Sequence, residues 1–219
     1  MSHILSFDIG TRNLAVCEID REQRVIYEWS VIDLLHTENT PHCEFHNPCA
    51  RQPVHYYAVE TEKKWFCSQH KKKFLKIRRP SRAVENPRDL RFLSRQIVYH
   101  LDLLCTETRM SQTSLVLLEK QPFKRMSTVH DFMYMYFRIR FPSVEILSVS
   151  ATKKLGSNNS RVGKPLSTER RLDNKGRAKQ MCKTLLDANF DNETMERFCQ
   201  AKQNHDMADA FLQTVSFWS

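Results

Sequence analysis

Four carboxylates in this chain have types and positions suited to chemistry. Asp8 follows the apolar run Ile4–Phe7 and stands just before a turn at Gly10, in SFDIGTRN; Glu119 follows the apolar run LVLL; Asp206 and Asp209 open the segment HDMADAFLQ at i,i+3 spacing. Taken singly, each has a bland explanation: a turn residue, an exposed strand end, an acid favoured at a helix start. Taken together, they suit a cation, because carboxylates held close repel one another and resist ionisation unless a positive charge offsets them. Hard oxygen ligands in that number suit one or two Mg²⁺ (or Mn²⁺) ions. Two such ions about 4 Å apart clamp a phosphodiester between an attacking water and the leaving oxygen.

A second set of ligand types lies in PHCEFHNPCARQPVHYYAVETEKKWFCSQHKKK, residues 41–73. Cys67-x-x-His70 has the spacing of half a zinc site, and Cys43 with Cys49 offers the other half, although the five residues between them exceed the usual two to four. His46 in place of Cys43 or Cys49 is the alternative set. A stretch this polar has little core of its own, so without a structural Zn²⁺ it reads as a loop with incidental thiols. The other four of the seven cysteines, Cys17, Cys105, Cys182 and Cys199, lie in apolar segments and read as small buried hydrophobes.

The formal charge of +9 is unevenly distributed. From Lys63 to Arg82 there are nine Lys/Arg and no acid; from Thr152 to Lys183 there are ten, with only Glu169 and Asp173 against them, so the remainder is net acidic. Such segregation fits a polyanion, because neutralised phosphates release their counterions. Lys153, Lys154, Arg177 and Lys179 are the nucleic-acid-binding candidates in the second stretch. No apolar run is long enough to span a bilayer, and neither a leader pattern nor a disulfide framework is visible, so the expectation is a soluble intracellular protein.

The elements that must position these groups follow from periodicity. Residues 3–9, 13–20 and 24–33 are rich in β-branched and aromatic types and read as three consecutive strands. Residues 37–82 read as a turn-like region. Leu90, Leu93, Ile97, Leu101 and Leu104 recur at helical spacing behind Pro87, predicting a helix of about five turns. Residues 114–120 and 144–150 read as strands, 128–141 as a helix, 152–176 as a mobile loop, 177–188 as a helix, and 204–218 as a last helix burying Met207, Phe211, Val215 and Trp218. The order predicts an α/β layered fold around a mixed five-stranded sheet, formed by one domain over 1–219 with a zinc-knuckle insertion at 42–82.

In this order and spacing, FDIGTRNLAV, LVLLEKQP and HDMADAFLQ resemble the three acidic motifs of RuvC-like Holliday junction resolvases, most nearly those of large DNA viruses and fungal mitochondria. The resemblance leaves out the 42–82 region. It implies an RNase H-like fold, a homodimer, and paired metal-dependent nicking of four-way DNA junctions, with Asp8, Glu119, Asp206 and Asp209 as the catalytic metal ligands. His205 stands where relatives often carry a further acid. Two other readings accompany it: a broader RNase H-like nuclease acting on flaps, forks or RNA–DNA hybrids, and an inactive zinc-containing DNA-binding protein. An actin-like or sugar-kinase ATPase also opens with a strand, an Asp and a Gly-Thr turn, but needs further glycine-rich loops in a second lobe. This chain has only Gly10, Gly156, Gly163 and Gly176.

Overall fold

In the computed structural model, residues 2–34, 49, 55–59, 62–77, 82–85, 89–120, 124–150 and 169–217 are described. Five segments that the periodicity predicts as strands pair into one sheet: β1 (His3–Ile9), β2 (Asn13–Asp20), β3 (Ile26–Asp33), β7 (Thr113–Lys120) and β8 (Glu145–Ser150), in the order β3-β2-β1-β7-β8. β1 and β2 form an antiparallel hairpin, β2 and β3 another, while β7 lies parallel to β1 and β8 parallel to β7. The sheet is therefore mixed, as expected. β1, β2 and β7 read as near-continuous apolar runs because they occupy its centre and are covered on both faces.

Alternation along each strand sorts the two faces. Phe7 faces α4 (Lys124–Arg140), where its ring lies 5.7 Å from that of Phe137. On the opposite face, Ala15, Cys17 and Ile19 join Trp29 in a core with α5 (Glu169–Asn189), α6 (Asn192–Gln200) and α7 (Asn204–Val215). Trp29 is the foot on which α7 stands. Its indole stacks on Phe198 at 5.1 Å and packs against Phe211 at 5.3 Å, and its Nε1–H donates to the Met207 carbonyl at 2.9 Å. Ala208 and Ala210 are fully buried, and their small side chains let α7 approach closely enough for the Ser6 hydroxyl to donate to the Ala210 carbonyl at 2.8 Å.

The chain divides into two compact units, Met1–Asp33 with His100–Ser219, and Leu34–Tyr99. The first holds the five-stranded sheet. The second contains β4 (His55–Val59), β5 (Glu62–Phe66) and β6 (Arg82–Glu85), paired antiparallel in the order β5-β4-β6, together with α1 (Ser68–Ile77) and the start of α2 (Leu90–Leu104).

Several expectations change. The region 37–82, read as turn-like, contains two strands, a helix and the first residue of a third strand, because aromatic residues and lysine stems supply strand and helix propensity that His and Pro masked. The stretch 169–176 is the start of α5, and Arg177 and Lys179 stand on that helix, since Gly176 alone does not break it. β3 begins at Ile26, because Arg24 takes a left-handed φ of 56° and closes the hairpin turn capped by Asp20. The helix expected from Pro87 begins at Leu90 and still buries Leu93, Ile97 and Leu101. Cys17, Cys105 and Cys182 are buried as expected, but Cys199 is exposed, facing outward from the short helix α6. Helices α3 (Glu107–Gln112) and α6 carry local signals that periodicity overlooks: Thr106 and Asp191 accept from Arg109 N and Thr194 N as N-caps. Among the described residues, no helix is long and apolar enough to cross a membrane.

Replacing Trp29 by Ala is expected to destabilise the protein by about 3–5 kcal/mol, through lost burial and a cavity beneath α7. Replacing it by Phe is expected to cost about 1–2 kcal/mol, keeping the stack but losing the bond to Met207. Chemical-denaturation midpoints of the two variants check this order.

Candidate active site

The register of the parallel pair β1–β7 aligns Phe7 with Leu118. Asp8 and Glu119 each follow by one residue, so they project together from adjacent strand ends onto the face opposite Phe7, the face on which α7 packs. Ser6, two residues before Asp8, bonds to α7 directly, which identifies that face. Asp206 arrives from the first turn of α7. A cleft of about 420 Å³ lies where these elements meet, lined by Asp8, Ile9, Gly10, Thr11, Arg12, Asn13, Glu119, Met126 and Asp206. Three of the four predicted acids thus share one cleft.

The fourth is placed differently. Asp209 is part-buried, roughly 4.5 Å further along the helix axis, and it is not among the residues lining the cleft. Its charge acts on Cys182 of α5: burial, then Cys199, then Asp209 push that thiol up to about 12.

Residues that the acid pattern overlooked hold the site in shape. The turn between β1 and β2 closes through Gly10 N donating to Asn13 O at 3.0 Å. A Cβ on Gly10 would sit 2.5 Å from that same carbonyl, so the tight turn excludes any side chain there. The turn aims Asn13 at α7, where its Nδ2 donates to Asp206 Oδ2 at 3.2 Å. The other oxygen of Asp206 pairs with His205 Nε2 at 3.0 Å, so His205 acts through its neighbour. Arg12 reaches Asp33 at 2.9 Å, placing a guanidinium at the rim of the cleft. The sequence signal for Asn13 is the same Gly-to-Asn turn already visible in GTRN.

The donor set fits a hard divalent cation. Glu119 is 5 % exposed, and a buried carboxylate calls for a cation or hydrogen-bond donors beside it. The buried Oδ1 of Asn13 has no hydrogen-bond partner among the described residues, which leaves an acceptor for a cation or its hydrating water.

The second ligand set also converges. Cys49, Cys67 and His70 place one donor atom each within 4.8 Å of one another, with Cys67 buried beside the start of α1. Sulfur and imidazole donors suit zinc. Cys43 and His46 lie outside the described residues, as do Lys153 and Lys154; Arg177 is exposed and Lys179 half-buried on α5.

The sequence matches no family model and no curated protein. Among solved structures, it is similar to the Fowlpox virus resolvase in complex with substrate Holliday junction DNA, at 14 % identity and a TM-score of 0.52, over 99 % of this chain and 96 % of that one. At that identity the likeness shows the fold alone: this chain shares the mixed-sheet α/β fold of that structure.

Two glycines should respond in opposite directions to the same change. Gly10→Ala is expected to destabilise by about 1–3 kcal/mol, because its methyl group meets backbone. Gly176→Ala, with nothing near its Cβ position, is expected to stabilise α5 by about 0.5–1 kcal/mol. Thermal melts of the two variants read both signs.

Proposed function

We propose that this protein is a divalent-metal-dependent endonuclease that resolves four-way DNA junctions by paired phosphodiester hydrolysis. The observation that carries the reading is the convergence of Asp8, Glu119 and Asp206, from two adjacent strand ends and a helix start, on one open cleft. In this reading the three carboxylates hold Mg²⁺ or Mn²⁺, and Asp209 completes the acidic set from behind. The bound cation would polarise the scissile phosphate and lower the pKa of its attacking water. Asn13 and His205 orient Asp206, and Arg12 at the rim attracts the phosphate backbone. Arg177 and Lys179, with Lys153 and Lys154, extend that attraction along the DNA. Structural zinc is held by Cys49, Cys67 and His70, with Cys43 or His46 as the fourth ligand. The protein acts inside the cell, where its thiols stay reduced.

Paired nicking needs two such clefts, which a homodimer supplies. Helix α4 supports a second copy as partner. Its inner face is buried, yet its outer face carries Phe132, Met135 and Ile139 at i, i+3 and i+7, with Ile139 71 % exposed. Asp131 stands at one end of that stripe and Arg138 at the other, a pattern that complements itself about a two-fold axis.

The test is cleavage of a synthetic four-way junction beside linear duplex, flap and RNA–DNA hybrid, with Mg²⁺ and with EDTA. Preferential paired nicking of the junction is expected; equal cutting of flaps or hybrids would favour the broader nuclease, and metal-independent binding without cutting would favour the inactive binder. Asp8→Asn, Glu119→Gln and Asp206→Asn are each expected to lower cleavage by at least about 10³-fold, the loss of several kcal/mol of transition-state stabilisation, while junction affinity is retained. Asp209→Asn separates the roles: near-native cleavage would remove that residue from the metal site.

A charge reversal at Arg177 and Lys179 is expected to flatten the salt dependence of junction binding by about one unit of slope per lost phosphate contact. Filter binding between 50 and 200 mM salt, roughly the range over which such contacts are most visible, provides the measurement.

A further inference from the structure

We propose that the 34–99 unit is a metal-organised DNA-contacting module, in which Cys49, Cys67 and His70 hold zinc at the root of α1 and α1 presents Lys72 and Lys73 to DNA phosphates. This rests on the nuclease reading above and gives a second unit of the same chain a share in gripping the branched substrate.

The placement of the ligands carries the argument. Cys67 immediately precedes α1, His70 lies in its first turn, and the first helical bond, Lys71 N to Cys67 O at 2.8 Å, links the two positions. Cys49 comes from a separate segment, so a metal ion here would staple a residue eighteen positions before Cys67 to the nucleating turn of the helix. That turn is the costly step in helix formation, and an isolated helix of ten residues does not sustain itself in water. The composition of α1 works against it as well. SQHKKKFLKI contains four lysines and no acid, so its first turn lacks the negative charge that a helix N-terminus favours, and its like charges repel. A metal ion anchoring the turn offsets the first deficiency, and an external polyanion offsets the second.

Charge identifies the partner. Lys72 and Lys73 are exposed on α1, within the stretch Lys63–Arg82 that has nine Lys/Arg and no acid. A stretch of one sign on an ordered helix suits phosphates at regular spacing better than a single small anion. Two phosphate-binding units on one chain also make the second contact intramolecular, which raises overall affinity without a new kind of contact.

The experiment uses the full-length protein, purified without chelators, and reads zinc content together with four-way-junction affinity between 50 and 200 mM salt, roughly as for the first unit. The native protein is expected to carry about one zinc per chain. Lys72→Glu with Lys73→Glu should retain that zinc, bind the junction at least about tenfold more weakly, and lower the salt slope by about two. Cys67→Ser with His70→Ala should lose zinc and show the same loss of slope although every lysine remains. An unchanged affinity and slope in the lysine pair overturns the proposal. Zinc-free protein with the native slope overturns the role of the metal, and the lysine variant decides the DNA contact even if the cysteine variant fails to fold. A lysine-dependent slope that persists on linear duplex, in a protein with no preference for junctions and no cleavage, would instead overturn the resolvase reading and leave the module standing.

Discussion

The candidate site depends on one register. β1 and β7 are far apart in the chain, and their parallel pairing sets Phe7 beside Leu118. Because side chains alternate, this single alignment sends two apolar residues toward α4 and, one residue later, two carboxylates toward α7. A slip of one residue on either strand would turn its acid to the other face and drive an apolar side chain toward the cleft. The hydrophobic pattern therefore protects the placement of the two acids: the apolar residues flanking each acid cannot be re-exposed cheaply, so neither can the acid be moved.

The docking of α7 completes what the register begins. A helix whose first turn carries Asp206 has to approach the sheet closely, and the alanines at 208 and 210 permit that approach. Bonds from Trp29 and Ser6 to carbonyls of α7 fix its height along the sheet. Asn13 and His205 then fix the carboxylate itself, from both oxygens. At the opposite end of β1 the protein handles buried acids in another way. Glu18 is paired there with His3 at 2.9 Å and with Arg109 at 2.7 Å, and Asp20 caps a turn, so side chains within the fold answer those charges. Beside one end of β1 the buried acids are answered within the fold, whereas at its other end the acids line an open cleft.

The two compact units also divide the candidate ligand groups by donor type. Oxygen donors gather at the strand ends of the five-stranded sheet, while sulfur and imidazole gather at the start of α1. Hard and soft donor sets of this kind select different ions, so the two sets would not compete for one cation.

The sequence by itself determined the strands, the principal helices, the mixed sheet and the identities of the acids, because each of these is written in local periodicity and residue type. It also indicated the soft ligand set, through Cys67-x-x-His70. It did not reveal the strands at 55–59, 62–66 and 82–85, where runs of only four or five residues lie among His, Pro and charged residues, or the exposure of Cys199, which depends on the face that a short helix presents. Only the tertiary structure decided that Asp8 lies level with Glu119, that Asn13 holds Asp206 across nearly the whole length of the chain, that Asp209 stands off the cleft lining, and that Cys49 meets Cys67 and His70. Each of these is a contact between residues distant in sequence, and such contacts are set by which strands pair and how closely a helix can dock. Local propensity does not encode either one.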